Sequence, residues 1–168
     1  MSSTASILTT SDSRASARSS NPLQRLLSTT DSVAPTIARL TLGLVMFPHG
    51  AQKALGWFGG YGYSGTMGFF TGTMHIPAVF AFLAIAAEFA GSLALIAGLF
   101  SRVAALGIAG VMAVAIATTH LTNGFFMNWT GAQKGEGFEY HLFALGLAAI
   151  VLVWGGGKGS VDGRLARK

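Results

Sequence analysis

Apolar positions gather along the chain into four stretches, separated by two connections rich in glycine and aromatic residues. The first covers about 33–50 and contains Arg39 and Pro48. The second, about 78–100, and the third, about 103–121, are parted only by Ser101 and Arg102. The fourth, about 139–154, is shorter. A bilayer core needs ~20 mostly apolar residues per helix, with ~17 at the low end. The middle two stretches satisfy this alone, and the outer two need their flanks. The pattern predicts an all-α, integral membrane four-helix bundle over 33–157.

Small residues within the stretches predict which faces meet. Ala105, Ala109, Ala113 and Ala117 recur every four residues, and His120 continues that stripe. Ala81, Ala84, Glu88 and Gly91 form another. Membrane helices pack through small residues, so His120 and Glu88 are expected to point into the bundle. Glu139 and His141 lie two apart, roughly 200° around a helix, so at most one shares that view.

Composition agrees with a membrane class. Charged residues make up 10% of the 168, against roughly 25% in a soluble domain, and mean hydropathy is +0.55. The absence of cysteine excludes thiol catalysis, disulfides and Cys-ligated iron–sulfur clusters. The sequence pI near 10.1 does not indicate nucleic acid, because the basic residues flank apolar spans instead of forming a patch.

With four spans, Arg14, Arg18, Arg25, Arg102, Lys158, Arg164, Arg167 and Lys168 share one side, while the other side has Lys53 and Lys134. Positive residues favour the cytoplasm, which predicts cytoplasmic termini and two outer loops. Residues 1–32, rich in Ser and Thr, read as a disordered cytoplasmic tail, with Leu23, Leu26 and Leu27 suited to an interfacial turn. Residues 158–168 read as a basic cytoplasmic tail, reached through a flexible glycine exit at 155–160. Arg102 reads as a snorkelling topology determinant.

This orientation collects the polar residues at the outer face: His49 and Lys53 end the first span, His120 the third, and Glu139 and His141 begin the fourth, with His75 on the same side. Arg39 and Glu88 each lie about ten residues from a span end, ~15 Å deep. Since an isolated mid-bilayer charge costs ~2.5–3.5 kcal/mol, they are expected to pair. Glu88 and His120 read either as proton-handling groups or as polar glue. Axial haem ligation by His49 and His120 is disfavoured, and no metal-binding spacing is present.

The run GWFGGYGYSGTMGFF contains a G-x-G-x-x-G match at Gly60, Gly62 and Gly65. A dinucleotide fingerprint needs a strand before it and a helix after it. Here an apolar helix precedes the match, so the run is expected to be an interfacial loop with Trp57 in it, lying as a lid over the His/Glu cluster.

ARLTLGLVMFPHGAQKALGWFGGYGYSGTMGFF, AEFAGSLALIAGLFSRVAAL, VAIATTHLTNGFF and GFEYHLFALGLAAIVLVWGGGKGSVD, in that order, resemble the blocks of the DoxX family. The resemblance covers nearly everything after residue 35, and the HG-x-x-K-x-x-GWFGG segment is its most specific part. It implies a four-helix protein of a bacterial or archaeal inner membrane, linked to thiosulfate:quinone oxidoreductase or to redox-stress assemblies. His49, Lys53, Glu88, Arg102, His120, Glu139 and Asp162 fall on the family's recurring polar positions. His75 and His141 do not, which favours Glu139 as the inward group.

The functional expectation is a quinone-linked membrane subunit of an oxidoreductase. Glu88 and His120 would handle protons, and His49, Lys53, Glu139 and Trp57 would contact substrate. No cofactor is assigned beyond a quinone. The expected partners are the bilayer and other membrane or soluble redox subunits, with a homo-oligomer left open. The alternatives are a non-catalytic assembly subunit that recruits soluble enzymes and, third, a small transporter.

Overall fold

The computed structural model describes residues 22–167; Arg14, Arg18 and Lys168 lie outside them. Among the described residues the chain is helical, with no strand. Seven α-helices follow in order: α1 (Pro22–Leu27), α2 (Val33–Leu55), α3 (Gly62–Gly68), α4 (Ala78–Ala97), α5 (Ser101–Ala115), α6 (Glu139–Trp154) and α7 (Val161–Leu165). The four longest close a ring in which α2 packs on α4 and α6, and α5 packs on the same two. Leu42, Met46, Leu95, Ile108, Ala148 and Val151 fill its centre. Two stretches are long and apolar enough to cross a membrane: Ala78–Ala97 and the continuous helical run Ser101–Asn123. Glu139–Trp154 is apolar but shorter.

Local chemistry explains the helix limits. Ser32 caps α2 by accepting from the Ala34 amide at 3.3 Å. Gly56, at φ 75°, ends the helix in the left-handed conformation that glycine adopts without penalty. α2 therefore runs through Pro48 and past the expected end near residue 50. Gly50 is needed for packing: a Cβ there would lie 2.5 Å from the Phe89 Cα. Its absence lets α2 and α4 touch backbone to backbone.

That register overturns the expected Arg39–Glu88 pair. Because α2 extends to Leu55, Arg39 lies near its N-terminal end, beside the last turn of α4. The buried guanidinium donates to the carbonyls of Leu95 (2.8 Å), Ile96 (2.7 Å) and Gly156 (2.7 Å). The first two belong to the end of α4, whose last carbonyls lack helical partners, and a cation there also complements the helix dipole.

The matching device sits at the start of α5. Asp162, 2% exposed, accepts from the amides of Phe100 (2.7 Å) and Ser101 (2.8 Å). A carboxylate from α7 thus caps a helix that has no side-chain cap of its own. The segment expected to be a loose tail is therefore docked on the bundle in its described part. Ser160 is buried, and the Lys158 amide donates to the Ser32 carbonyl at 3.0 Å. The glycine exit is likewise fixed, since a Cβ on Gly157, at φ 73°, would lie 2.5 Å from Thr36 Oγ1.

Two further expectations change. Within residues 1–32, the described part forms α1 with Leu27 buried, and Thr30 donates its amide to the Trp154 carbonyl at 3.1 Å. Arg102 does not simply snorkel, because its guanidinium donates to the Leu152 carbonyl and, at 3.2 Å, to that of Ser28.

Candidate functional site

α2, α4, α5 and α6 each deliver polar groups to one cavity of about 1160 Å³. The last two turns of α2 contribute His49 and Lys53, and α4 contributes Glu88. The π-helical turn Ile116–His120, which continues α5, contributes His120, and the first turn of α6 contributes Tyr140 and His141. A π-helical turn is uncommon and often marks a functional site. A second one, Phe69–Thr73, places Phe69 and Phe70 in the wall of the same cavity.

Glu88 pairs with Lys53, whose Nζ lies 2.5 Å from Oε2. The carboxylate side chain is 3% exposed and the lysine 28%. Lys53, Phe69 and Phe70 also line a smaller pocket of about 270 Å³ with Gln52, Tyr61 and Thr66. The ammonium therefore stands between two chambers.

Four rings follow one another along the cavity wall. His49 and Tyr140 have centroids 6.1 Å apart, Tyr140 and His141 5.6 Å, and His141 and His120 4.1 Å. The Tyr140 hydroxyl donates to Met46 Sδ at 3.4 Å. His120 Nδ1 lies 2.8 Å from the Glu136 carbonyl oxygen. A carbonyl can only accept, so Nδ1 is the donor. His141 is 6% exposed, and its buried Nδ1 makes no hydrogen bond. The His49 ring, exposed in the cavity wall, has no hydrogen bond among the described residues. Buried polar atoms are nearly always bonded, so the unmet Nδ1 is an exception, on a ring that lines the cavity.

The structure gathers His49, Lys53, Glu88 and His120, but Glu88 and His120 do not bond to each other as expected. The other two candidates lie elsewhere. Glu139 turns to the loop, where Oε2 accepts from the Met127 amide at 3.2 Å, and it does not line the cavity. Trp57 is 53% exposed and packs edge-on against Phe58 at 6.3 Å, outside both chambers. His75 is exposed. The glycine-rich run is not a loop throughout, since residues 62–68 form α3. Its last two residues, Phe69 and Phe70, line the cavity together with Met74 and Ile76 beyond it.

His141 is the inward group of α6, contrary to the expectation for Glu139. One signal could have found it. His141, Ala144, Ala148 and Val151 are the buried positions of α6, spaced as one helix face. Tyr140 had no such signal, because it is half-buried and enters the cavity from the flank of that face. As possible ligands, His120 and His141 offer two adjacent imidazoles, and no group of three or more His, Cys, Asp or Glu is gathered among the described residues.

A family model described as DoxX matches residues 34–121, from the first turn of α2 to just beyond His120. No curated protein and no solved structure matches the chain. The matched segment is just over half the length and holds His49, Lys53, Glu88 and His120. On that match, the chain belongs to the DoxX family.

Proposed function

We propose that this chain is a multi-pass protein of the cell inner (plasma) membrane. All four long helices cross the bilayer, both termini are cytoplasmic, and the ring-lined cavity seats a quinone headgroup for a redox complex. Large exposed apolar side chains outside the cavity, among them Leu44, Val79, Phe82, Leu106, Phe143 and Val153, suit a lipid surface and would be a liability in water. Arg102, Lys158, Arg164 and Arg167 lie at the end of the bundle where α1 and α7 pack, and the positive-inside rule favours the cytoplasm for that end.

The observation that carries the functional reading is the unbonded Nδ1 of buried His141, in the wall of a large apolar cavity beside His120, His49 and Tyr140. Ligand pockets have this character: an apolar chamber with a few convergent polar groups. A quinone needs a flat apolar slot and hydrogen-bond partners at its carbonyl oxygens. Phe69, Phe70 and Met74 offer the slot. His141 and His49 offer unused ring nitrogens, and Lys53 with Glu88 holds an exchangeable proton at the boundary with the smaller pocket. Reduction of a quinone to a quinol takes two electrons and two protons. The residues here serve the protons, and a redox partner subunit supplies the electrons.

The test is titration of the purified protein with a short-chain quinone, followed by quenching of tyrosine and tryptophan fluorescence. Wild type is expected to bind saturably, and His120→Ala and His141→Leu to bind more weakly while melting as wild type does. Absence of saturable binding, or equal binding in both folded variants, would sink the reading in favour of a non-catalytic assembly subunit.

A further inference from the structure

The cavity is much longer than a headgroup requires. Beyond the rings it continues as a groove between α4 and α5, lined on α4 from Phe80 to Ala94 and on α5 from Val103 to Thr119. The α4 wall alone is about four turns, or about 21 Å at ~1.5 Å per residue. Small residues line it, including Ala87, Gly91 and Ala94 on α4 and Gly107 and Gly110 on α5. At Gly110 an added Cβ would meet nothing within 4 Å, so the groove is open there. α4 and the helical run that begins with α5 are also the two stretches long and apolar enough to cross a membrane. A groove between them faces the hydrocarbon.

Charge restricts what can lie with its head among the rings and its tail in this groove. The acidic and basic residues lining the cavity are Lys53, Glu88 and Glu136. Lys53 is already matched by Glu88 at 2.5 Å, which leaves no spare cation for the phosphate of a bilayer lipid. The orphan His141 Nδ1 and the unbonded His49 ring suit an uncharged head that exchanges neutral hydrogen bonds.

We infer that the occupant is a quinone with a long prenyl tail, which enters from the bilayer and lays that tail along the α4–α5 groove. This assignment rests on the quinone reading of the ring cluster and adds the substrate class and the route of entry. The tail contributes apolar burial that a one-prenyl analogue cannot supply.

The experiment compares quinones of one head type carrying one or four prenyl units. Both are titrated against the full chain in detergent micelles, as wild type, Gly110→Ala and Gly110→Phe. Partition into micelles cancels when variants are compared at one tail length. Gly110→Phe fills the open space, and the expected result is about tenfold weaker binding of the four-prenyl quinone with the one-prenyl quinone changed less than about twofold. Gly110→Ala is expected to bind both as wild type does, and equal melting temperatures show that the groove was blocked without loss of fold. Equal weakening at both tail lengths, or no weakening at either, overturns the groove assignment while leaving the headgroup reading intact. Failure of wild type to bind even the one-prenyl quinone removes the headgroup reading and this inference together. A phospholipid that co-purifies with wild type, resists displacement by the four-prenyl quinone and is lost from Gly110→Phe gives the groove to bilayer lipid and overturns the assignment.

Discussion

The Lys53–Glu88 pair predicts an asymmetry between two substitutions that remove the same ion pair. In Lys53→Met the carboxylate of Glu88, 3% exposed, is left without its cation. Removing one partner of a buried pair costs about 3–5 kcal/mol, because the remaining charge stays desolvated. In Glu88→Gln the remaining group is Lys53, 28% exposed, on a flexible stem that also borders the smaller pocket. Its ammonium can turn toward that chamber and recover solvent, so the cost falls to about 1–2 kcal/mol. The double variant Lys53→Met/Glu88→Gln has no buried charge left. It is expected to be more stable than Lys53→Met by about 3–5 kcal/mol, because a neutral replacement of a buried pair is close to neutral in energy. Reversible unfolding in mixed micelles with increasing SDS, read by tryptophan fluorescence, measures all four corners of the cycle. Equal losses in the two single variants, or additive losses in the double, would refute the reasoning. An Arg39→Glu/Glu88→Arg exchange is expected to rescue nothing, since Arg39 binds backbone carbonyls.

Asp162→Ala should lower stability by about 2–4 kcal/mol, since it removes two charge-assisted bonds to α5 amides; hydrogen exchange at Phe100 and Ser101 should speed up ahead of the rest of α5. Gly50→Ala should cost about 1–3 kcal/mol, because the added carbon meets backbone that cannot yield. Gly68→Ala, where a Cβ meets nothing, should be neutral or stabilising by up to about 1 kcal/mol in the same unfolding assay. For short-quinone affinity, His141→Leu should weaken binding about 5–30-fold, as the loss of one buried hydrogen bond would, while Glu139→Gln stays within about twofold. The reverse order would return Glu139 to the site.

Where the sequence could be read correctly, a local property decided the outcome. The runs 78–100 and 139–154 are uninterrupted and apolar, and the helices Ala78–Ala97 and Glu139–Trp154 follow them closely. The stripe holding Glu88 reaches the cavity through Ala84, Glu88 and Gly91, because small residues set which helix face turns inward; of the stripe leading to His120 only His120 does, and Ala113 and Ala117 are exposed. The errors came from quantities that no single segment carries. Depth was counted from the apparent ends of the apolar runs, yet α2 extends to Leu55, and Gly43 and Gly50 fix its register on α4. That shift moves Arg39 to the last turn of α4 and brings Lys53 to Glu88. Residues 62–68 read as loop from their glycines, but the segment packs as α3 against α2, and tertiary contact outweighs weak propensity. The cap of α5 could not be read at all, since its acceptor lies 61 and 62 residues further on.

The polar residues of the bundle divide by what they bond to, and that division separates fold from function better than burial does. At the end of the bundle where α7 packs, Arg39 binds three carbonyls, Asp162 two amides and Arg102 two carbonyls. Each of these charges meets backbone groups at helix ends or in the chain segments beside them, so its role is exhausted by the fold. The buried atoms left over there are Ser101 Oγ and Arg102 Nε, both on residues otherwise engaged through their backbone or side chain. At the outer end the accounting differs. His141 Nδ1 is buried and unbonded, the His49 ring is unbonded, and Lys53 and Glu88 satisfy each other across the boundary of two chambers. An unmet hydrogen bond in a buried site costs about 1–3 kcal/mol, and a fold has no reason to retain that cost beside an open cavity. A ligand that satisfies the His141 ring removes it, while the exposed His49 ring carries no such cost. For that reason Glu139, which resembles a site residue in sequence but is spent on a loop amide, belongs with the scaffold, and His141 belongs with the site.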